Sequence, residues 1–167
     1  LLRALNYTSE EILDMFFDTS SYHFKKDGIY VDLVPSRLRG ETSSFEIKDK
    51  DGTVLVEKDR RITQRHIRSL EKAGIKHLAV PVEYLHGKVL AKDIIDPSSG
   101  ELLVECNTEI SEEVLELLAG AKIKNFETLY TNDLDCGPFM SDTLRIDPTR
   151  TPLEALVEIY RMMRPGE

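Results

Sequence analysis

GTVLVEKDRRITQRHIRSLEKAGIKHLAVPVEY, from Gly52 to Tyr84, returns as GELLVECNTEISEEVLELLAGAKIKNFETLYTN from Gly100 to Asn132, a shift of 48 residues without a gap. Gly52 falls on Gly100, Val56 on Val104, Ile62-Thr63 on Ile110-Ser111, Leu70 on Leu118 and Ile75-Lys76 on Ile123-Lys124. Self-similarity at a fixed spacing means that one supersecondary unit occurs twice. A glycine turn enters an apolar strand, Thr53 to Glu57 or Glu101 to Glu105. A hydroxyl residue, Thr63 or Ser111, then stands where its oxygen can accept from the first free N–H groups of a helix. Apolar residues follow at helical spacing: Ile67 and Leu70 in one copy, Val114, Leu115, Leu117 and Leu118 in the other. The helix stops near Gly74 or Gly120, and a second strand follows. The stop glycine is displaced by two positions between copies, which predicts helix ends that differ. Two copies are too few for a solenoid; they predict a duplicated unit that packs against itself.

Outward from the repeats, the flanks extend each copy. Phe45 and Ile47 alternate into the Asp51-Gly52 turn, and Gly87 to Asp96 reads as a strand leading into the turn Pro97 to Gly100. Each copy is therefore strand–turn–strand–helix–strand, with a slightly longer turn in the second. Upstream, Tyr22 to Lys25 and Ile29 to Val34 flank Asp27-Gly28, a two-residue hairpin signal. Pro35 to Glu41 reads as an arginine-bearing loop. Thr8-Ser9-Glu10-Glu11 is a capping box that opens a short helix to about Phe17, with Ile12, Leu13, Phe16 and Phe17 on one face. Downstream, Thr131 to Asp142 is polar and turn-rich, and Leu144 to Asp147 is short and apolar. Thr151-Pro152-Leu153-Glu154 is a second capping box, with proline at the first helical position where its missing N–H costs nothing. Leu153, Leu156, Val157 and Tyr160 then predict the buried stripe of a final helix, closed by Arg161 and Arg164, cations suited to a helix C-terminus. The fold class is α+β: a duplicated strand–turn–strand–helix–strand insertion framed by a first and a last helix of one module.

The chain has 167 residues, enough to bury a core without staples. Its formal net charge of −8 argues against this piece alone gripping a phosphate backbone. Cys106 and Cys136 stand far apart with no CxxC, which indicates neither a disulfide framework nor a zinc knuckle and fits a reducing compartment. No apolar run is long enough to span a membrane, and no basic-then-apolar leader is present. Beginning at Leu1 and stopping just after a helix, the chain reads as a piece of a longer polypeptide.

Candidate chemistry is sparse. The histidines at 23, 66, 77 and 86 show no HxxxH or HxxE spacing, and His66 and His77 fall on different predicted elements, so structural or surface roles are expected and no metal site is assigned. Nothing places a base or oxyanion pocket beside either cysteine; both read as partly buried apolar fillers. Asn132, Asp133 and Asp135 lack the rest of a calcium loop and read as a polar turn. Glu109, Glu112, Glu113 and Glu116 crowd the start and outer face of the second repeat helix, either as a solvated face favoured by the helix dipole or as an acidic docking surface. Arg60, Arg61, Arg65 and Arg68 make the first repeat helix basic. Helices of opposite charge could pair with each other or face different partners. Arg37 and Arg39 add a smaller basic spot. No phosphate loop, triad or carboxylate pair is visible, so residue chemistry alone describes a binding or scaffold module.

The stretches LLRALNYTSEEILDMFF, VDLVPSRLRGE, EKDRRITQRHIRSLEKAGI, ETLYTNDLDCGPFMSDTLRIDPT and LEALVEIYRMMRPGE, in that order, resemble the β subunit of bacterial RNA polymerase. The resemblance covers essentially the whole chain and is similar to the lobe region interrupted by the lineage-specific insertion of proteobacterial β subunits. It implies that residues 1–21 and 141–167 are lobe segments and residues 22–140 the insertion. It further implies a parent enzyme that makes RNA from nucleoside triphosphates with catalytic magnesium held in another subunit, so no cofactor is expected in this fragment. The lobe forms one jaw around downstream DNA. Arg161 and Arg164 are the residues expected nearest the non-template strand, with helix-end capping or intramolecular ion pairing as the alternative. The insertion implies a docking surface for regulators, including secondary-channel factors of the DksA type, in a cytoplasmic assembly with the β′, α, ω and σ subunits. The residues expected to dock partners are Arg60, Arg61, Arg65, Arg68, Glu112, Glu113 and Glu116. A reading from another class is a free-standing adaptor or ligand-binding domain built from the duplicated unit.

Overall fold

The four hydroxyl residues expected to start helices all stand as N-caps: Thr8, Thr63, Ser111 and Thr151. The computed structural model describes residues 1–166. It is an α+β chain with the order α1 (Ser9–Phe16), β1 (Thr19–Lys25), β2 (Gly28–Asp32), α2 (Pro35–Leu38), β3 (Ile47–Lys48), β4 (Val54–Val56), α3 (Gln64–Lys72) and β5 (His77–Val80). There follow β6 (Ile94–Ile95), β7 (Leu102–Val104), α4 (Glu112–Gly120), β8 (Asn125–Leu129), α5 (Phe139–Ile146) and α6 (Pro152–Met163). No helix is long and apolar enough to cross a membrane, among the described residues.

The duplication is visible in the backbone as well as in the sequence. β3–β4–α3–β5 and β6–β7–α4–β8 are the same series, each opening on an antiparallel hairpin with a register irregularity. Ile47 pairs with Val56 in one hairpin and Ile94 with Val104 in the other, so the second turn is one residue longer. Positive φ recurs at matching places: Asp59 (61°) and Asn107 (63°), Gly52 (82°) and Gly100 (73°), Gly40 (85°) and Gly87 (82°). Asp and Asn are the side chains that tolerate this region best after glycine.

The helix ends do not differ, contrary to the displaced glycines. α3 ends at Lys72 and α4 at Gly120, the same place in each copy. Both close on a left-handed residue, Gly74 (φ 62°) and Lys122 (φ 55°). Its N–H and the next return to the last turn: Gly74 to Glu71 and Ile75 to Leu70, Lys122 to Ala119 and Ile123 to Leu118. This is a Schellman-type stop, which requires a conformation and only prefers glycine. Gly120 is simply the last helical residue.

The chain forms two compact units. One comprises Leu1–Thr19, Lys88–Ile110 and Glu127–Glu167; the other comprises Ser20–Gly87 and Ser111–Phe126. In the first, Ile12 and Leu13 of α1 are buried with Ala91, Leu129 and Leu144. The capping box of α1 is closed both ways, the Thr8 N–H donating to Glu11 Oε2 (2.8 Å) and the Glu11 N–H to Thr8 Oγ1 (3.2 Å). The nearly buried Arg3 pairs with Asp147 at 3.4 Å. Asn107 donates through Nδ2 to the Ser141 carbonyl at 2.9 Å and accepts from the Ser141 hydroxyl, which satisfies a buried serine.

The second unit is built on a sheet of order β5-β2-β1-β8, of which Asn125 and Phe126 are the β8 residues in this unit. The hairpin β1–β2 turns on Lys26-Asp27, one residue earlier than expected. Gly28 already pairs with Lys25, and it absorbs the unusual φ of 138° that a side chain would resist. Strand alternation sorts the residues cleanly. Tyr22, Ile29, Leu78, Val80 and Phe126 are buried, with the Tyr22 and Phe126 rings stacked at 5.1 Å. A second cluster joins Ile47, Val56, Ile62, Ile67, Leu70 and Leu78, so the apolar face of α3 packs on its own hairpin and strand. Burying Ile67 and Leu70 contributes about 2 kcal/mol each.

Four other expectations are corrected. Pro35 to Glu41 is not wholly loop, since one helical turn, α2, occupies Pro35–Leu38. The polar stretch after Thr131 gives way to α5 at Phe139, a helix with only Ser141 and Leu144 buried, too few to mark a stripe in sequence. Gly87 to Asp96 is not one strand. Val89 and Leu90 form isolated bridges, and β6 begins only at Ile94, because Asp93 turns aside to accept the Cys106 N–H at 2.7 Å. The expected buried stripe of α6 is exposed: Leu153 is 71% and Tyr160 51% accessible, and only Ala155 is buried.

Candidate functional site

Of the seven residues expected to dock partners, Arg65 and Arg68 lie on α3 and Glu112, Glu113 and Glu116 on α4, all exposed. Arg60 and Arg61 precede α3. Arg60 Nε meets Glu57 at 3.3 Å, and Arg61 sits in an isolated bridge with Thr42. No ion pair joins the arginines of α3 to the glutamates of α4, among the described residues. The first turn of α4 carries Glu112 and Glu113, where the helix dipole favours anions. The arginines of α3 and the glutamates of α4 are exposed charges on two separate helices.

Arg161 and Arg164 stand at the end of α6. Arg161 Nη1 is 3.2 Å from Glu158 Oε1, and the Arg164 guanidinium lies 5.6 Å from the centre of the Tyr160 ring. Both remain exposed, so each has a local partner and an accessible charge. An exposed i, i+3 pair is worth only a few tenths of a kcal/mol, about 0.3–0.5, and holds the side chain weakly.

Cys106 carries no activated thiol. Burial pushes the Cys106 thiol up to about 12, reinforced by the Asp93 carboxylate beside it. A thiol so raised is inert as a nucleophile. The Asn132 stretch is a polar turn in which Asn132 Oδ1 accepts from the backbone of Leu134, Asp135 and Cys136. His66 closes the cap of α3, its Nδ1 accepting from the Thr63 N–H at 3.2 Å.

The histidines that spacing leaves apart are brought together by the sheet. Residues alternate across the strands, so Asn125, His23, Asp32 and His77 share the face opposite the buried one, one from each of β8, β1, β2 and β5. Asp32 and His77 are direct register partners. Asp32 Oδ1 is 2.8 Å from His23 Nε2 and 2.7 Å from His77 Nδ1. The two imidazole rings lie edge to face at 5.4 Å. His23 Nδ1 is 2.7 Å from Asn125 Oδ1. The Asn125 hydrogen bond raises the His23 pKa against its partial burial, and the Asp32 carboxylate adds to the rise. Sequence spacing misses this group because its members are 9, 45 and 102 residues apart along the chain. Only the alternation within each strand is a local signal.

No protein-family model matches the chain.

Proposed function

We propose that this chain is a portion of the β subunit of a cytoplasmic DNA-directed RNA polymerase, with lobe segments at residues 1–21 and 141–167 and a regulator-docking insertion at residues 22–140. Its role is non-catalytic: the lobe segments shape the downstream DNA cleft, and the insertion receives factors of the DksA type. The order of its five long stretches supports the reading at the sequence level. In the structure, the supporting observation is the apolar stripe of α6, with Leu153, Leu156, Val157 and Tyr160 all accessible. Contiguous apolar surface of this kind marks a surface that another protein covers, as neighbouring parts of the β and β′ subunits would. Arg161 and Arg164, at the end of the same helix, are the candidate DNA-proximal cations.

The test is promoter transcription by polymerase whose β subunit lacks residues 22–140, with and without a DksA-type factor. The proposal expects basal RNA synthesis to survive and the response to the factor to fall. Collapse of basal synthesis in an assembled enzyme would refute the division between lobe and insertion. Charge reversal at Arg65 and Arg68, or at Glu112, Glu113 and Glu116, then asks which face docks. A native polypeptide near 19.0 kDa would instead favour the free-standing adaptor.

A further inference from the structure

We propose that His23, Asp32 and His77 form a binding site for a divalent transition-metal ion of the zinc type, with Asn125 orienting His23. Three ligand-bearing atoms from three adjacent strands meet here, and no two of them are more than 4.8 Å apart. Two imidazoles and one carboxylate are a donor set that suits zinc and its neighbours; magnesium and calcium prefer all-oxygen sites.

The hydrogen bonds around His23 give the second line of argument. Its Nδ1 and Nε2 face the oxygens Asn125 Oδ1 and Asp32 Oδ1, both acceptors. A neutral imidazole has one N–H and cannot donate to both. Either a second ring proton or a metal at Nε2 resolves this; with a metal, Nδ1–H donates to the amide oxygen while the Nε2 lone pair binds the ion. That is the outer-shell pattern in which a ligating histidine gives its other N–H to a neighbouring oxygen. His77 offers Nδ1 from the far side of Asp32.

Binding an ion needs adjustment of all three side chains: the two histidine nitrogens, which lie within 4.8 Å, must also come to the tetrahedral spacing. Zinc bonds of about 2.0–2.1 Å place tetrahedral ligand atoms about 3.3 Å apart. The two contacts to Asp32, at 2.7 and 2.8 Å, open by about half an ångström to reach that spacing. Asp32 and both rings are partly exposed, so they can make this adjustment and leave the remaining coordination positions to water. The bound ion would cross-link β1, β2 and β5 on the face opposite their buried side chains.

The experiment is calorimetric titration of the full chain with zinc chloride, with magnesium chloride as the control. It is read beside long-range proton–nitrogen spectra of the imidazoles. The expected result is one equivalent of zinc bound and none of magnesium. His23 Nε2 and His77 Nδ1 should shift, while His66 and His86 stay in place. D32N and H77Q should weaken binding at least tenfold, and N125A, which removes only the orienting oxygen, by about tenfold. Absence of a saturable zinc event on the folded chain overturns the proposal. So does a stoichiometric event that shifts His66 or His86 in place of His23 and His77. The wild-type spectra decide the matter even if a variant fails to fold.

Discussion

Exchanging the residues that stop the two repeat helices tests the duplication at the level of conformation. Gly74 and Lys122 occupy the same left-handed position, at φ 62° and 55°. For a residue with a side chain this conformation costs about 1–2 kcal/mol. Replacing Lys122 by glycine removes that cost but frees the unfolded chain, which takes back about 0.4–1 kcal/mol. The Lys122 side chain is exposed, so K122G should stabilise by about 0.5–1 kcal/mol. At Gly74 an added Cβ meets nothing within 4 Å, so G74A changes conformational energy alone and should destabilise by a similar about 0.5–1 kcal/mol. Both positions belong to the unit comprising Ser20–Gly87 and Ser111–Phe126, and one unfolding transition reports both. With a urea slope of about 1 kcal/mol/M, the midpoints followed by circular dichroism should move about 0.5–1 M in opposite directions. A lowered midpoint for K122G, or an unmoved one for G74A, would refute the claim that the left-handed stop is what the copies share.

Three further outcomes are expected. In the Arg3–Asp147 pair, burial pulls the Asp147 carboxyl up, but Thr149's hydroxyl and amide and the Arg3 guanidinium outweigh it and leave the pKa below the ordinary value. Its contribution is therefore present above the unfolded carboxyl value, about 3.9, and is lost as pH falls through the lower folded value. Equilibrium unfolding of D147N should show that acid-side loss removed, and about 2 kcal/mol less stability at neutral pH because Arg3 stays nearly buried. Cys106 should resist a thiol reagent at pH 8 in the folded chain and react in urea; rapid labelling of Cys106 in the native state, mapped by mass spectrometry, would contradict its raised pKa. N107A loses both bonds to Ser141 and places alanine at φ 63°, so it should cost about 2–3 kcal/mol in thermal unfolding, whereas N107G, which keeps the backbone, should cost less.

Signals that act within a few residues were legible in the chain. Thr8 and Glu11, or Thr151 and Glu154, meet because a helix brings positions three apart together, and no distant residue is needed. The same holds for the glycine turns at Gly52 and Gly100 and for the repeat, whose period needs only comparison of the chain with itself. Where a local rule was read through residue type instead of conformation, it failed. Gly120 reads as a stop by residue type, whereas Lys122 carries the left-handed turn.

The amphipathic pattern of α6 states that one face is apolar, but it cannot state what covers that face. The structure leaves Leu153 and Tyr160 accessible. The separate charges of α3 and α4 were likewise readable as composition, while their lack of mutual pairing was not.

By itself, the sequence determined the α+β class, the duplicated series of elements and the four helix starts capped by Thr8, Thr63, Ser111 and Thr151, because hydrogen-bonding at caps and turns is satisfied locally. The tertiary structure alone decided that His23, Asp32, His77 and Asn125 share one patch. Their meeting depends on the strand order β5-β2-β1-β8 and on register, which are set by long-range pairing and core packing.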